Sequence, residues 1–173
     1  MFDGHRTVII DPFLSGNNDA PFRARDIVAD LILVTHAHNN HLGDAIEMSK
    51  RSNTPILCSF ELGMHCESQG AKVINANIGG KNLYHAGDTA LFGDMALISD
   101  QYDLDVAMLP IGGMYMMDAE DAVRAEMLLK AKKVVPMHYG RWTEADPYEF
   151  RDLIEGQGIG TAVVMRPGDA IIV

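Results

Sequence analysis

Three histidines within six residues give this chain its clearest chemical signal. His36 and His38 are two positions apart and follow Thr35 and the apolar run Leu31–Val34, which has the length of a buried strand. On an extended segment, side chains two positions apart leave the backbone on the same side. His41 follows three positions later, where the apolar spacing becomes helical. The sequence therefore predicts three imidazoles at the carboxyl end of a strand, where open α/β sheets place their active sites.

Imidazole nitrogens at this spacing favour a metal site. Neutral imidazole binds Zn and, to differing degrees, Mn, Ni and Fe, and catalytic sites leave one coordination position open for water. We expect Zn first among these metals. A few solvated loop histidines would be the alternative interpretation of the same residues.

Two more strand-like segments end in residues that can do chemistry. The segment from Lys81 runs into Gly87 and Asp88, and the segment from Lys133 runs into His138. A turn aspartate would also explain Asp88 alone, but three strand ends that carry His or Asp suggest one cluster. Asp11, after the first strand, fits either a partner that orients the histidines or a turn former.

The whole chain alternates strands with helices, which is the pattern of an α/β fold. The predicted strands cover 8–10, 31–34, 55–58, 72–74, 81–86, 105–111, 133–138, 161–165 and 170–173. The predicted helices cover 42–51, 61–69, 119–130 and 147–156, the last ending at Gly156. At 173 residues, the length favours a single domain over residues 1–173.

Composition disfavours some classes of partner. The formal net charge is −10, which disfavours nucleic acid and an anionic membrane surface because both need a basic face. No apolar run approaches the roughly 18 residues of a membrane span. The N-terminal Met1–Arg6 lacks the apolar core of a secretion signal. Cys58 and Cys66 do not have C-x-x-C spacing, and we expect both to be free thiols. We therefore expect a cytoplasmic protein that binds a small-molecule substrate.

Four motifs in order resemble one known family. They are T-H-A-H-x-x-H-L-G-D at 35–44, Y-H-A-G-D-T-x-L-F-G-D-M at 84–95, L-P-I-G-G at 109–113 and P-M-H-Y-G at 136–140. They are similar to those of the metallo-β-lactamase superfamily, in particular the metal-dependent hydrolases related to ascorbate-6-phosphate lactonase. The resemblance implies a four-layer αββα sandwich that holds one or two divalent metal ions. It also implies that Asp88 bridges the metals and that the ligands are His36, His38, His41, Asp88 and His138.

The sequence departs from the family pattern in three places. Asn40 occupies the position of an aspartate, and a neutral amide is a weaker metal ligand that cannot accept a proton as a general base. Several tens of residues that include another ligand histidine are missing between Gly80 and Lys81, and the family's first strand is mostly absent before Val8. The fold is therefore predicted to be trimmed, with Asn40 in the ligand set and the metal site weakened or mononuclear.

Two functional hypotheses follow. In the first, a metal-activated water attacks an ester, lactone or phosphodiester, with Asp88 at the metal and His85 or Tyr139 supporting the developing charge. In the second, the chain is a catalytically impaired or non-enzymatic relative that binds metal or a partner. The segment Met114–Met117 fits either a core gap or an apolar substrate pocket. The missing segment should expose a sheet edge, which predicts a homo-oligomer.

Overall fold

The computed structural model describes residues 6–73, 81–140 and 143–172. They divide into two compact units. The first contains residues 6–73 and 167–172, and the second contains residues 81–140 and 143–166. Each unit is a parallel sheet with helices, as the alternating pattern predicts.

The first unit is built on a short parallel sheet. Its strands are β1 Val8–Ile10, β2 Leu31–Leu33 and β3 Ile56–Leu57, paired in that order. Its helices are a 3-10 turn at Ala24–Asp26, α1 Asn39–Leu42, α2 Ala45–Ser52 and α3 Phe60–Ser68. The core of this unit contains Ile32 and Ile56 of the sheet and Cys66 of α3, which are all fully buried. Met48 of α2 packs in the same core and is almost fully buried. These apolar contacts fix the strand that leads into the histidines.

The second unit is a larger version of the same arrangement. Its strands are β4 Leu83–His85, β5 Val106–Pro110, β6 Lys133–Met137 and β7 Thr161–Ala162, all parallel and paired in that order. Its helices are α4 Met95–Gln101, α5 Ala119–Leu129 and α6 Pro147–Gln157. Leu109, Leu129, Phe150 and Ile154 are fully buried in one core. The core holds β5 and β6 side by side. Because the strands are parallel, the residues that follow them lie together at the carboxyl ends of the strands.

Side chains cap helices α5 and α6 at their N-termini. Oδ1 of Asp118 accepts a hydrogen bond from the Asp121 amide at 2.9 Å, and Oδ1 of Asp146 accepts one from the Tyr148 amide at 2.8 Å. Pro147 occupies the first helical position of α6, where no amide hydrogen is needed.

Several predicted boundaries and one predicted strand are wrong. The helix predicted over 42–51 is two helices, because Gly43 takes a φ of 42° and separates α1 from α2. Helix α6 continues through Gly156 and ends at Gln157, since Gly158 takes the left-handed conformation with a φ of 65°. Residues 170–172, predicted as a strand, are not in a strand.

Some predicted features lie outside the described residues: the end of the strand at 72–74, the loop 75–80 with its junction at Gly80, and Val173. Val73 makes a single parallel bridge to Ile56. Cys58 and Cys66 are free thiols, as predicted. Within the described ranges, we find no helix with the length and apolar character that crossing a membrane requires.

Candidate metal centre

The three clustered histidines lie where the chain leaves β2 and enters α1. His36 and His38 precede the helix, and His41 is its third residue. A Cβ on Gly43 would lie 2.4 Å from the carbonyl oxygen of Pro12, so only glycine permits this close approach. The turn that carries His41 therefore packs directly on the loop after β1.

The Asp11 carboxylate binds this region together. Its Oδ1 accepts a hydrogen bond from the Thr35 amide at 2.8 Å, and its Oδ2 accepts one from the Thr35 hydroxyl at 2.6 Å. Oδ2 also accepts from Nδ1 of His41 at 2.8 Å. Burial tends to raise the pKa of the Asp11 carboxyl, but the hydrogen bonds from His41 and Thr35 outweigh it and lower that pKa. Of the two roles open to Asp11 from sequence, the structure shows it in contact with a histidine.

These contacts fix which nitrogen of two imidazoles carries the proton. A carboxylate only accepts, so Nδ1 of His41 carries a proton, and its buried Nε2 is the nitrogen that the neutral ring would offer to a metal. Thr35 gives its hydroxyl proton to Asp11, so its oxygen accepts from Nδ1 of His36 at 3.0 Å. Nε2 of His36 is likewise the nitrogen that the neutral ring would offer to a metal. Histidines that bind metals are oriented in this way through their other ring nitrogen.

His36 and His38 are close enough to share one ion. Nε2 of His36 lies 2.8 Å from Nδ1 of His38, and the His36 ring centroid lies 4.0 Å from that of His41. Two nitrogens on one tetrahedral zinc ion would be about 3.3 Å apart, given bonds of about 2.0 Å. A small separation of the two rings would therefore suffice.

The second unit brings Asp88 and His138 together. Asp88 follows β4 and His138 follows β6, the two strands that flank β5. Nε2 of His138 lies 3.5 Å from Oδ2 of Asp88, close to the spacing of two ligands on one ion. His138 takes a φ of 59°, a conformation that costs a non-glycine residue about 1–2 kcal/mol. Strain of this kind, away from a helix end, is typical of functional positions.

His85 supports the turn that presents Asp88. It is the last residue of β4, and its Nδ1 accepts a hydrogen bond from the Gly87 amide at 3.2 Å. Gly87 is buried with a φ of 64°, so the turn needs glycine there. This contact fits a positioning role for His85.

Tyr139 is tied to the backbone. Its hydroxyl donates to the carbonyl oxygen of Met165 at 2.7 Å, beyond the end of β7. Because a phenol has one proton, donation to a substrate would require this bond to open.

Asn40 lies in the single turn of α1 and is exposed. Its neighbour His41 is buried, so the two adjacent side chains have different surroundings. Metal ligation by Asn40 stays a prediction.

The donors in both units suit a divalent metal. Neutral imidazole and carboxylate are ligands of zinc and of the related transition metals. The His41 Nε2 and Asp88 Oδ1 atoms are both buried polar atoms of the kind that a metal ion satisfies. His36, His38 and His41 would hold metal in the first unit, and Asp88 and His138 in the second.

Comparison with known proteins identifies the family. A family model described as a Beta-lactamase superfamily domain matches residues 63–138. A UPF0173 metal-dependent hydrolase from Pelotomaculum thermopropionicum is 34% identical over 99% of this chain and 94% of its own length. One from Thermococcus kodakarensis is 38% identical over 99% of this chain and 94% of its own length. The chain belongs to this family of metal-dependent hydrolases.

The fold comparison agrees with this assignment. The hydrolase superposes on Igni18, a metallo hydrolase from the archaeon Ignicoccus hospitalis, with a TM-score of 0.86. The two are 33% identical, and the match covers 95% of this chain and 89% of the other. The predicted metallo-β-lactamase-like α/β sandwich is confirmed. The alignment to the Pelotomaculum hydrolase spans 215 positions against the 173 residues here, so several tens of positions have no counterpart, as the predicted shortening requires.

Sequence reasoning missed part of the hydrolase's supporting network. Thr35 is not among the predicted functional residues, yet it links Asp11 to His36. Its position directly before the first histidine was the available signal. The bond from Gly87 to His85 depends on a local turn conformation, which residue types alone do not give.

Proposed function

We propose that this hydrolase cleaves an ester, lactone or phosphodiester bond of a small molecule. Its metal ligands would be His36, His38, His41, Asp88 and His138, with zinc as the first choice of metal and Mn, Ni or Fe as alternatives. The observation that carries the proposal is the Asp11 network, because it holds Nδ1 of His41 and, through Thr35, Nδ1 of His36, so that Nε2 is the atom of each ring that would bind a metal.

The chain's own residues would divide the work. A divalent metal held by these ligands would activate a water molecule near neutral pH. Asp88 contributes the negative charge of the ligand set, and His85 holds the turn that presents it. Tyr139 is the proposed donor to developing substrate charge, after release of its bond to Met165.

A catalytically impaired, metal-binding relative is the second candidate. Exposed Asn40 favours it, because an amide at this position supplies neither charge nor a general base. Loss of negative charge lowers metal affinity first, so this candidate predicts low metal occupancy.

The test combines metal content with activity. Purified protein would be stripped with a chelator, reloaded with Zn, Mn or Ni, and assayed on bis(4-nitrophenyl) phosphate and on simple lactones. We expect activity with at least one metal and its loss in His38→Ala, with His65→Ala as a control outside the ligand set. Background rates with every metal, unchanged by His38→Ala, would reject the hydrolytic proposal.

We also propose that the hydrolase is cytoplasmic, forms a homo-oligomer and acts on a small molecule and not on nucleic acid. The net charge of −10 supports the last point. The homo-oligomer is supported by the sheet of the second unit, because β4 is an edge strand of that sheet and edge strands can pair with another chain. A monomer by light scattering at micromolar concentration would contradict the oligomer.

A further inference from the structure

The loop between β5 and α5, residues 111–118, carries an exposed apolar tip. Met114 is 90% exposed and Tyr115 is 86% exposed, whereas Met117 is completely buried. Met117 fills the core, and Met114 and Tyr115 face solvent. No charged residue occurs from Val106 to Met117.

The loop is fixed to the segment that carries His138. The Ile111 amide donates to the carbonyl oxygen of Met137 at 3.0 Å. A Cβ on Gly112 would lie 2.5 Å from the carbonyl oxygen of His138, so glycine alone allows the loop to approach this residue so closely.

The other end of the loop is fixed to the segment that carries Asp88. The Met117 amide donates to the carbonyl oxygen of Thr89, the residue after Asp88, at 2.9 Å. The Gly113 amide donates to the Met117 carbonyl at 3.0 Å and closes the loop. The exposed tip is thus held at the carboxyl ends of the strands, where Asp88 and His138 also lie.

The backbone of the tip is strained without a helix end to explain it. Met114 takes a φ of 61°, in the left-handed region that favours glycine. Asn53 and Lys130 also take this conformation, but each ends a helix. Glycine would fit the Met114 backbone better and would remove an exposed apolar side chain. Folding therefore does not account for methionine at this position.

We propose that Met114 and Tyr115 bind an apolar substituent of the substrate beside Asp88 and His138. The inference rests on the proposed hydrolytic function and narrows its substrate class to esters or lactones with an alkyl or aryl group. A flexible thioether and an aromatic ring offer an adaptable contact of this kind. The absence of charge from Val106 to Met117 suits an apolar group and not a second anionic group.

The experiment uses metal-loaded full-length protein and γ-lactones whose alkyl side chain grows from methyl to hexyl. We expect kcat/KM to rise by up to three- to fourfold per added methylene that is buried. The double variant Met114→Gly/Tyr115→Ala should flatten this dependence on chain length while its metal content stays that of the wild type. Leu97→Ala, which removes an exposed apolar side chain from α4, is the matched control.

Two further measurements separate the possible failures. The urea midpoint of Met114→Gly should equal or exceed that of the wild type, because glycine relieves the backbone. In methyl-labelled methionine NMR, the Met114 signal should shift with the hexyl lactone and not with the methyl lactone. That shift without turnover would support the inference while the hydrolytic proposal fails.

Turnover that is independent of chain length, with an unshifted Met114 signal, would overturn the inference and leave the hydrolytic proposal standing. A second copy of the chain is the other occupant to consider. Self-association that Tyr115→Ala abolishes, without any chain-length effect, would assign the tip to that contact and also overturn the inference.

Discussion

Nδ1 of His41 lies 2.8 Å from Oδ2 of Asp11, and the two side chains are 10% and 11% exposed. The same carboxylate binds Thr35, whose hydroxyl oxygen accepts from His36. One largely buried acid on the loop after β1 therefore orients two imidazoles that belong to a different segment of the chain.

Replacing this acid should weaken metal binding without removing a ligand. Asp11→Asn keeps the size of the side chain but removes the charge and one acceptor oxygen. We expect zinc affinity to fall about 10- to 100-fold, the usual effect of losing a group that orients a ligand histidine. Competition with a chelating dye would measure it.

Asp100→Asn is the control for this variant, since it removes an exposed acidic charge from α4. Equal affinity losses in both variants would show that net charge, and not the contact with His41, sets the affinity.

Replacing two glycines by alanine, one at a time, should change the stability of the protein in opposite directions. Gly43→Ala places a Cβ 2.4 Å from a backbone oxygen of Pro12, where no side-chain rotation can relieve it. We expect a loss of about 1–3 kcal/mol in the free energy of unfolding. Gly156 is exposed in α6, with nothing within 4 Å of a Cβ, so Gly156→Ala should gain about 0.5–1 kcal/mol. Urea unfolding measures both, and a stable Gly43→Ala would contradict the tight turn.

Glu126 should make stability depend on pH. Its side chain in α5 is fully buried, and burial raises the pKa of its carboxyl to about 8 against a smaller opposing effect of the Ala131 amide. Between about pH 4.5 and 8, the folded protein keeps this proton and the unfolded chain releases it. Stability is therefore greatest below this range and is lost as pH rises through it.

Glu126→Gln should remove this loss. The difference between the unfolding free energies at pH 5 and pH 8 should be a few kcal/mol smaller in this variant than in the wild type. Each pKa unit corresponds to about 1.4 kcal/mol. Glu120→Gln changes an exposed acid on the same helix and should leave the pH dependence intact. An unchanged pH dependence in Glu126→Gln would mean that this carboxyl is ionised in the folded state.

The sequence predicted most elements because their signals are local. The caps Asp118 and Asp146 set the starts of α5 and α6, and short apolar runs mark β2, β5 and β6. Helix α4 was not predicted, because Asp94 makes no side-chain cap and Leu97 within the helix is 55% exposed. The break at Gly43 also escaped prediction, since it depends on contact with distant Pro12.

In the candidate site as well, residues with a local sequence signal were predicted and their tertiary contacts were not. His36, His38, Asp88 and His138 were identified because each follows a strand-like run. The neighbours of these residues depend on tertiary contact. Asp11 is 30 residues from His41 along the chain, and sequence alone gave it two equal roles.

Asn40 separates the two functional candidates. Asn40→Asp restores a carboxylate in the exposed turn of α1, beside buried His41. If weak metal retention limits the wild type, this change should raise metal occupancy and hydrolysis together, because a carboxylate is a stronger ligand and a general base. Asn39→Asp is the matched control, since it adds the same charge at the neighbouring exposed position of the same turn. A gain in both variants would be a general electrostatic effect, and a gain in neither would favour the impaired relative. Metal analysis after dialysis, followed by the lactone assay, measures the difference.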